Sequence, residues 1–131
     1  MIELPQDRLY TLRHVWVKIE DEEEGVAAVG ITEQLQEELP EILGIDLPLN
    51  GDELEIDALC VHLHLDDGDI FDLSSPLTGR VRETNRDVLD NPDLLHVAPY
   101  KNWLFRMEYD EIDEVELLIA PDRYLAYVEH L

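Results

Sequence analysis

Several residue types are scarce in this sequence, and each shortage excludes a class of protein. Cys60 is the only cysteine among 131 residues, so an intrachain disulfide and a four-cysteine zinc site are both excluded. There are 9 basic residues against 32 acidic ones, which gives a formal net charge of -23. Phosphate backbones and anionic membrane surfaces both attract clustered cations, so we expect neither nucleic acid nor a membrane as partner. The acidity itself favours either solubility or the attraction of a basic partner protein.

Long apolar runs are absent as well. No stretch approaches the ~20 apolar residues of a transmembrane helix, and the first residues, MIELPQDRLY, lack the basic start and apolar core of a secretion signal. We therefore expect a cytoplasmic location. The hydrophobic content of 45% is ordinary for a globular protein, and the length fits one domain. Residues 1–131 are expected to fold as a single domain.

Short runs of alternating apolar and polar residues, separated by turn signals, predict a mainly β fold. Strands are predicted at 10–20, 26–30, 43–47, 54–65, 70–73, 80–83 and 103–109. The Asp-Gly pair within 66–69 predicts a tight hairpin between two of these strands. Many short strands at close spacing are typical of a compact sandwich or barrel.

Four short helical segments are predicted between and after the strands. Thr32 is expected to cap a helix that ends before Pro40, and 85–95 contains a short helix or turn broken at Asn91-Pro92. Asp110 is expected to cap a helix running toward Ile119. Pro121 suits the first turn of a final helix through residue 131.

A series of different short sequence motifs is spread along the chain from about residue 9 to the C-terminus. They are Tyr10-Thr11, His14, Trp16-Val17, Val29-Gly30-Ile31-Thr32, Asp46-Leu47-Pro48, Gly51-Asp52-Glu53, Ser75-Pro76, Thr78-Gly79, Asn85, Asp90-Asn91-Pro92, Leu94-Leu95, Pro99-Tyr100 and Trp103-Leu104. In order and spacing they resemble the glycine cleavage system H protein family. The resemblance implies a lipoyl-domain-like fold of the barrel-sandwich hybrid type, in which two antiparallel sheets form a flattened barrel. It also implies a short helix after Thr32 and a helix at the C-terminus.

The resemblance does not extend to the family's functional centre, where a lysine at a hairpin tip is amide-linked to lipoic acid. Counting back from Pro76, the equivalent tip falls on Asp67 and Gly68, and 64–70 contains no lysine. The two lysines of the chain, Lys18 and Lys101, fall on the first predicted strand and in a later loop. We therefore expect no lipoyl group and no catalysis. The resemblance then implies a non-lipoylated relative that binds a protein partner, such as a glycine-cleavage or lipoate-metabolism enzyme.

A second hypothesis is metal binding on one face of the strand predicted at 54–65. Alternation places Cys60, His62, His64 and Asp66 in one row, with Leu59, Val61, Leu63 and Leu65 on the other face. Neighbours in the row stand about 6.5 Å apart, so two of them can share one divalent transition-metal ion, whereas all four cannot unless the strand bends. The same pattern is also that of a plain solvated strand face. Cys60 and His62 lie too far apart to form a catalytic nucleophile–base pair.

Overall fold

The computed structural model describes residues 3–131, which form a succession of short strands and helices. The strands are β1 (Leu9–Tyr10), β2 (Val15–Asp21), β3 (Val26–Ile31), β4 (Ile42–Asp46), β5 (Glu53–Leu54), β6 (Leu59–Leu65), β7 (Ile70–Ser74), β8 (Gly79–Thr84) and β9 (Phe105–Tyr109). The helices are α1 (Glu33–Glu38), α2 (Arg86–Asp90), α3 (Leu94–Val97), α4 (Ile112–Val115) and α5 (Pro121–Glu129). Among these residues, no helix is both long enough and apolar enough to cross a membrane.

The strands form two antiparallel sheets. The larger sheet has the order β1-β2-β3-β9-β8-β5, and the smaller has the order β4-β6-β7. The sheets pack as a sandwich and do not join into one closed barrel. The predicted fold class, two antiparallel sheets with short helices added, is confirmed.

The main hydrophobic core lies between the two sheets. Alternate residues of β2, such as Val15 and Val17, meet Val61 and Leu63 of β6 in this core, and all four are almost fully buried. Full burial of such a side chain contributes about 1.5–3 kcal/mol. A second cluster covers the opposite face of the larger sheet, where Trp16 of β2 packs with α5. Burial on both faces explains why β3 is apolar throughout.

The prediction of one strand over 10–20 is wrong in detail, because the chain reverses within it. Leu9 pairs with Val17, so β1 folds back antiparallel on β2 through a turn at 11–14. His14 has a φ of +66°, and the hydroxyl of Thr11 accepts hydrogen bonds from backbone N–H groups two and four residues further on. The turn contains no Gly, Pro, Asn or Asp, so the usual sequence signals for it are missing.

The prediction of one strand over 54–65 is also wrong, since β5 and β6 belong to different sheets. The chain turns at Asp57, which has a φ of +70° and donates its backbone N–H to the carbonyl of Ser75 at 2.8 Å. Asp is one of the few residues that tolerate this left-handed conformation. The crossing from one sheet to the other ends the alternation before Leu59.

The helices predicted after Thr32 and at the C-terminus are confirmed, and the one predicted after Asp110 is corrected. Thr32 caps α1 by accepting the backbone N–H of Leu35, and Pro121 begins α5. The segment after Asp110 forms only the one-turn helix α4. Its N-cap is Glu111, which makes no side-chain capping bond, while Asp110 donates its backbone N–H to the carbonyl of Thr78.

Candidate functional site

The hairpin that joins β6 to β7 reverses over residues 66–69, where the sequence predicts it. The backbone N–H of Gly68 donates to the carbonyl of Leu65 at 3.1 Å, and the N–H of Leu65 donates to the carbonyl of Asp69 at 2.9 Å. Gly68 has a φ of +91°, a conformation that glycine adopts without steric cost. The Asp67 carboxylate fixes the turn further by accepting the N–H of Asp69 at 3.0 Å.

This hairpin tip is exposed and carries only carboxylates. Asp66, Asp67 and Asp69 are all exposed, and a Cβ atom placed on Gly68 would meet no other atom within 4 Å. The tip therefore has room for a long side chain but presents no amine. Its chemistry is that of a negatively charged projection.

The two lysines of the chain lie away from the hairpin tip. Lys18 lies within β2, opposite Ala28 of β3, and its Nζ is 3.4 Å from the Asp7 carboxylate. Lys101 is exposed in the turn after α3. Both line the same shallow hollow of about 370 Å³, which also includes Trp16 and Trp103. The sequence-based placement of these lysines on the first long strand and in the loop before Trp103 is confirmed.

His62 and His64 lie on the outer face of the smaller sheet, as the alternation of β6 predicts. His62 Nδ1 is 2.6 Å from the Asp72 carboxylate on β7, and His64 Nε2 is 2.7 Å from the Asp46 carboxylate on β4. Both histidine side chains are about two-fifths exposed. The two flanking strands thus supply one carboxylate to each ring.

Cys60 does not share this outer face, so the predicted four-residue row is wrong at its first member. β6 carries a bulge between Leu59 and Val61, whose partners on β7 are consecutive residues. The extra residue shifts the alternation, which leaves Leu59 exposed and turns Cys60 into the main core. Burial raises the pKa of the Cys60 thiol to about 12, so this sulfur is a packing group and a poor metal ligand.

Asp66, the fourth member of the predicted row, lies beyond the end of β6 at the hairpin tip. Its backbone N–H donates to the carbonyl of Glu41, and its side chain is exposed. In the part of the chain that the structure describes, no three His, Cys, Asp or Glu side chains converge as a metal-binding group. The structure therefore separates the row into a histidine pair, a buried thiol and a turn carboxylate.

Sequence reasoning missed a groove of about 300 Å³ that four distant segments build together. The turn at 11–13, the corner at 56–57, the end of β7 with Pro76, and the segment 114–119 all line it. The Arg13 guanidinium donates to the hydroxyl of Ser74 at 2.9 Å along this groove. No local pattern marks these residues, because each segment supplies only a few side chains and tertiary packing brings them together.

Comparisons with known proteins agree on one family over almost the whole chain. The family described as "Glycine cleavage H-protein" matches residues 8–131. A glycine cleavage system H protein of Oceanobacillus iheyensis is 35% identical over 127 residues, with 96% of this chain and 98% of the relative covered. One of Streptomyces avermitilis is 36% identical over 124 residues, covering 94% and 95%. The crystal structure of a glycine cleavage system H protein from Mycobacterium marinum superposes with a TM-score of 0.82 at 26% identity, covering 96% of this chain and 99% of that one.

Proposed function

The chain belongs to the glycine cleavage H-protein family, and from this membership we propose that it is a docking or regulatory member that carries no lipoyl group on its hairpin. It would bind an enzyme of glycine cleavage or lipoate metabolism without transferring a group itself. Because the H protein is a non-catalytic component of the glycine cleavage system, no enzyme activity is expected of this chain.

The composition of the hairpin tip is the observation that carries the proposal. Lipoylation joins a carboxyl group to an amine, and the tip offers three aspartates and Gly68 in place of an amine. A carboxylate cannot accept an acyl group to form a stable amide. The tip is a tight β-hairpin turn without the amine nitrogen that lipoylation needs.

The two lysines are poorly suited to replace a hairpin lysine. Lys18 lies in the middle of β2, and its ammonium group is paired with Asp7. Lys101 is exposed, but it lies in a short turn, where its own backbone N–H donates to the carbonyl of Ala98. Neither lysine stands at the tip of a β-hairpin.

The charge of the chain supports an electrostatic contribution to docking. H proteins act with the other proteins of the glycine cleavage system, so a protein partner is expected. A net charge of -23 would speed the encounter with a partner that presents a basic surface. We place this encounter in the cytoplasm.

The mass of the protein purified from its own host tests the absence of the lipoyl group. The denatured chain should have the mass of its unmodified sequence. A lipoyl-sized addition, localised by peptide mapping to Lys18 or Lys101, would contradict the proposal.

A gain-of-function variant tests whether the missing amine is the reason that the hairpin carries no lipoyl group. Gly68→Lys should become a substrate for a purified lipoate ligase supplied with lipoate and ATP, while the parent chain should stay unmodified. Gly51→Lys is the matched control, because Gly51 also lies in an exposed turn with a positive φ and open space around its Cβ position. Equal modification of the two variants, or of neither, would contradict the assignment of 66–69 as the equivalent of the carrier tip.

Partner binding is tested with the purified glycine-cleavage and lipoate-metabolism enzymes of the same host at low ionic strength. Binding should weaken as salt is added, since screening shortens the range of the attraction. Asp67→Asn with Asp69→Asn should weaken it further, whereas Glu22→Asn with Glu23→Asn, in the distant β2–β3 turn, should have less effect. The docking role would be refuted if none of these enzymes bound at low salt.

A further inference from the structure

On the outer face of the smaller sheet, both histidines contact aspartates that lie in one row across its three strands. Asp46, His62 and Asp72 are direct neighbours across β4, β6 and β7. His64 is opposite Gly44, two pairs further along, yet its Nε2 reaches diagonally to Asp46 at 2.7 Å. The His64 ring therefore leans along the strand toward the row that contains His62.

The carboxylates determine which nitrogen of each ring carries the proton. An ionised carboxylate only accepts hydrogen bonds, so His62 Nδ1 and His64 Nε2 must be the donors. In the neutral imidazole the other nitrogen then holds a free lone pair. Among residues 3–131, no protein group forms a hydrogen bond with His62 Nε2 or His64 Nδ1.

We propose that His62 and His64 form a two-imidazole binding site for one divalent transition-metal ion. His62 Nε2 and His64 Nδ1 are the protein ligands, and water fills the remaining positions. Asp46 and Asp72 are positioning residues, since a carboxylate that accepts the second N–H of a ligating histidine fixes its tautomer and raises its basicity. Side chains at i and i+2 on one strand face are close enough to share an ion.

Accessibility and charge both favour occupancy of this site. The two histidine side chains are 40% and 43% exposed, so an ion can reach them without unfolding the sheet. A net charge of -23 raises the local concentration of cations around the protein. The site thus combines open access with an attractive field.

The ligand chemistry selects the kind of ion. Imidazole nitrogen suits Zn²⁺, Ni²⁺ and Cu²⁺, whereas Mg²⁺ and Ca²⁺ prefer oxygen ligands. Asp46 and Asp72 bind the far nitrogens of the rings, and no group of three His, Cys, Asp or Glu side chains in the described part of the chain is arranged to hold an ion, so the coordination sphere stays open to solvent. The Irving–Williams order then predicts that Cu²⁺ binds most tightly.

The test is calorimetric titration of the untagged protein with Cu²⁺ and with Ni²⁺, in a buffer containing millimolar Mg²⁺ to occupy non-specific carboxylate sites. One ion should bind per chain. His62→Ala and His64→Ala should each weaken binding by at least about tenfold. Asp46→Asn and Asp72→Asn should each weaken it by about tenfold, because each replaces a carboxylate that orients a ligating histidine. His130→Ala is the matched control, because His130 is an exposed histidine near the C-terminus and should leave the affinity unchanged.

A second measurement separates loss of ligands from loss of fold. The circular dichroism spectrum of the His62→Ala/His64→Ala double variant should match that of the parent, since both side chains lie on the surface. Copper binding of undiminished affinity in this double variant would overturn the proposal. Absence of saturable Cu²⁺ and Ni²⁺ binding at micromolar concentrations in the parent would overturn it equally.

Discussion

The carboxylate of Glu114 accepts both hydrogen bonds that Thr78 can donate. The Thr78 backbone N–H reaches Oε1 and its hydroxyl reaches Oε2, each at 2.7 Å. This pair ties α4 to the segment that enters β8. In the sequence Glu114 is one of 32 acidic residues with nothing to set it apart, and the structure gives it this specific role.

We expect Glu114→Ala to lower the free energy of unfolding by about 1–3 kcal/mol, because it leaves the half-buried Thr78 donors without an acceptor. Glu114→Gln keeps one acceptor oxygen and should cost less. Glu116→Ala removes an exposed neighbour and should change stability by less than about 0.5 kcal/mol. Urea unfolding of the three variants measures this order, and equal losses for Glu114→Ala and Glu116→Ala would contradict it.

Gly79→Ala should be among the most destabilising single changes in the sheet. A Cβ atom at Gly79 would lie 1.9 Å from the backbone carbonyl oxygen of Glu108 on β9, so β8 and β9 would have to separate. We expect a loss above about 3 kcal/mol. Gly44→Ala is the control, because its added atom would come no closer than 3.9 Å to His64 and should cost less than about 1 kcal/mol. Thermal unfolding of the two variants measures this difference in stability, and equal losses would contradict the prediction.

His14 should make stability depend on pH in the mildly acidic range. Burial lowers the pKa of His14 below its ordinary value of 6.5, and the charge of the nearby Glu38 opposes this shift without cancelling it. The unfolded chain therefore takes up the proton first, so the free energy of unfolding falls as the pH drops below about 6.5. His14 Nδ1 also forms a 2.6 Å hydrogen bond with the Tyr124 hydroxyl.

His14→Asn isolates this contribution, since Asn tolerates the positive φ at this position but does not titrate. Denaturant unfolding at pH 7.5, 6.5 and 5.5 should show a stability difference between parent and variant that shrinks toward acid. Parallel curves for the two proteins would mean that His14 does not titrate differently in the folded state.

Cys60 should be inert in the native protein. Its thiol is buried and its pKa is raised to about 12, so little thiolate exists at pH 8. An aromatic disulfide reagent should react with it only after guanidinium unfolding. Cys60→Ala should leave Cu²⁺ affinity unchanged. Rapid labelling of the folded chain, or loss of metal affinity in this variant, would contradict the placement of Cys60 in the core.

Much of the fold could be predicted from the sequence, because the relevant signals are local. Thr32 before a helical run, Asp67-Gly68 between apolar runs and Pro121 at a helix start each act through neighbouring backbone atoms. The strands at 26–30, 43–47, 70–73, 80–83 and 103–109 also appear within a few residues of their predicted bounds. One failure came at 11–14, where the chain reverses without the usual turn residues, and the other at Asp57, where the chain crosses from one sheet to the other.

The candidate site was less predictable than the fold. The lysine-free hairpin and the shared face of His62 and His64 follow from residue order and strand alternation. The bulge that turns Cys60 inward does not, because it depends on how β6 pairs with β7. The carboxylate partners Asp46 and Asp72 come from flanking strands that sequence spacing alone does not align.

The sequence by itself determined the scarcity of cations, the acidic hairpin tip, the Thr32 helix cap, the start of the last helix at Pro121, and the resemblance to one family. These depend on composition and on contacts between residues close in the chain. Only the tertiary structure decided that β5 and β6 enter different sheets, that Cys60 faces the core, and that Glu114 binds Thr78. Those outcomes depend on strand register and on packing between distant segments, where a shift of one residue reverses the face that a side chain occupies.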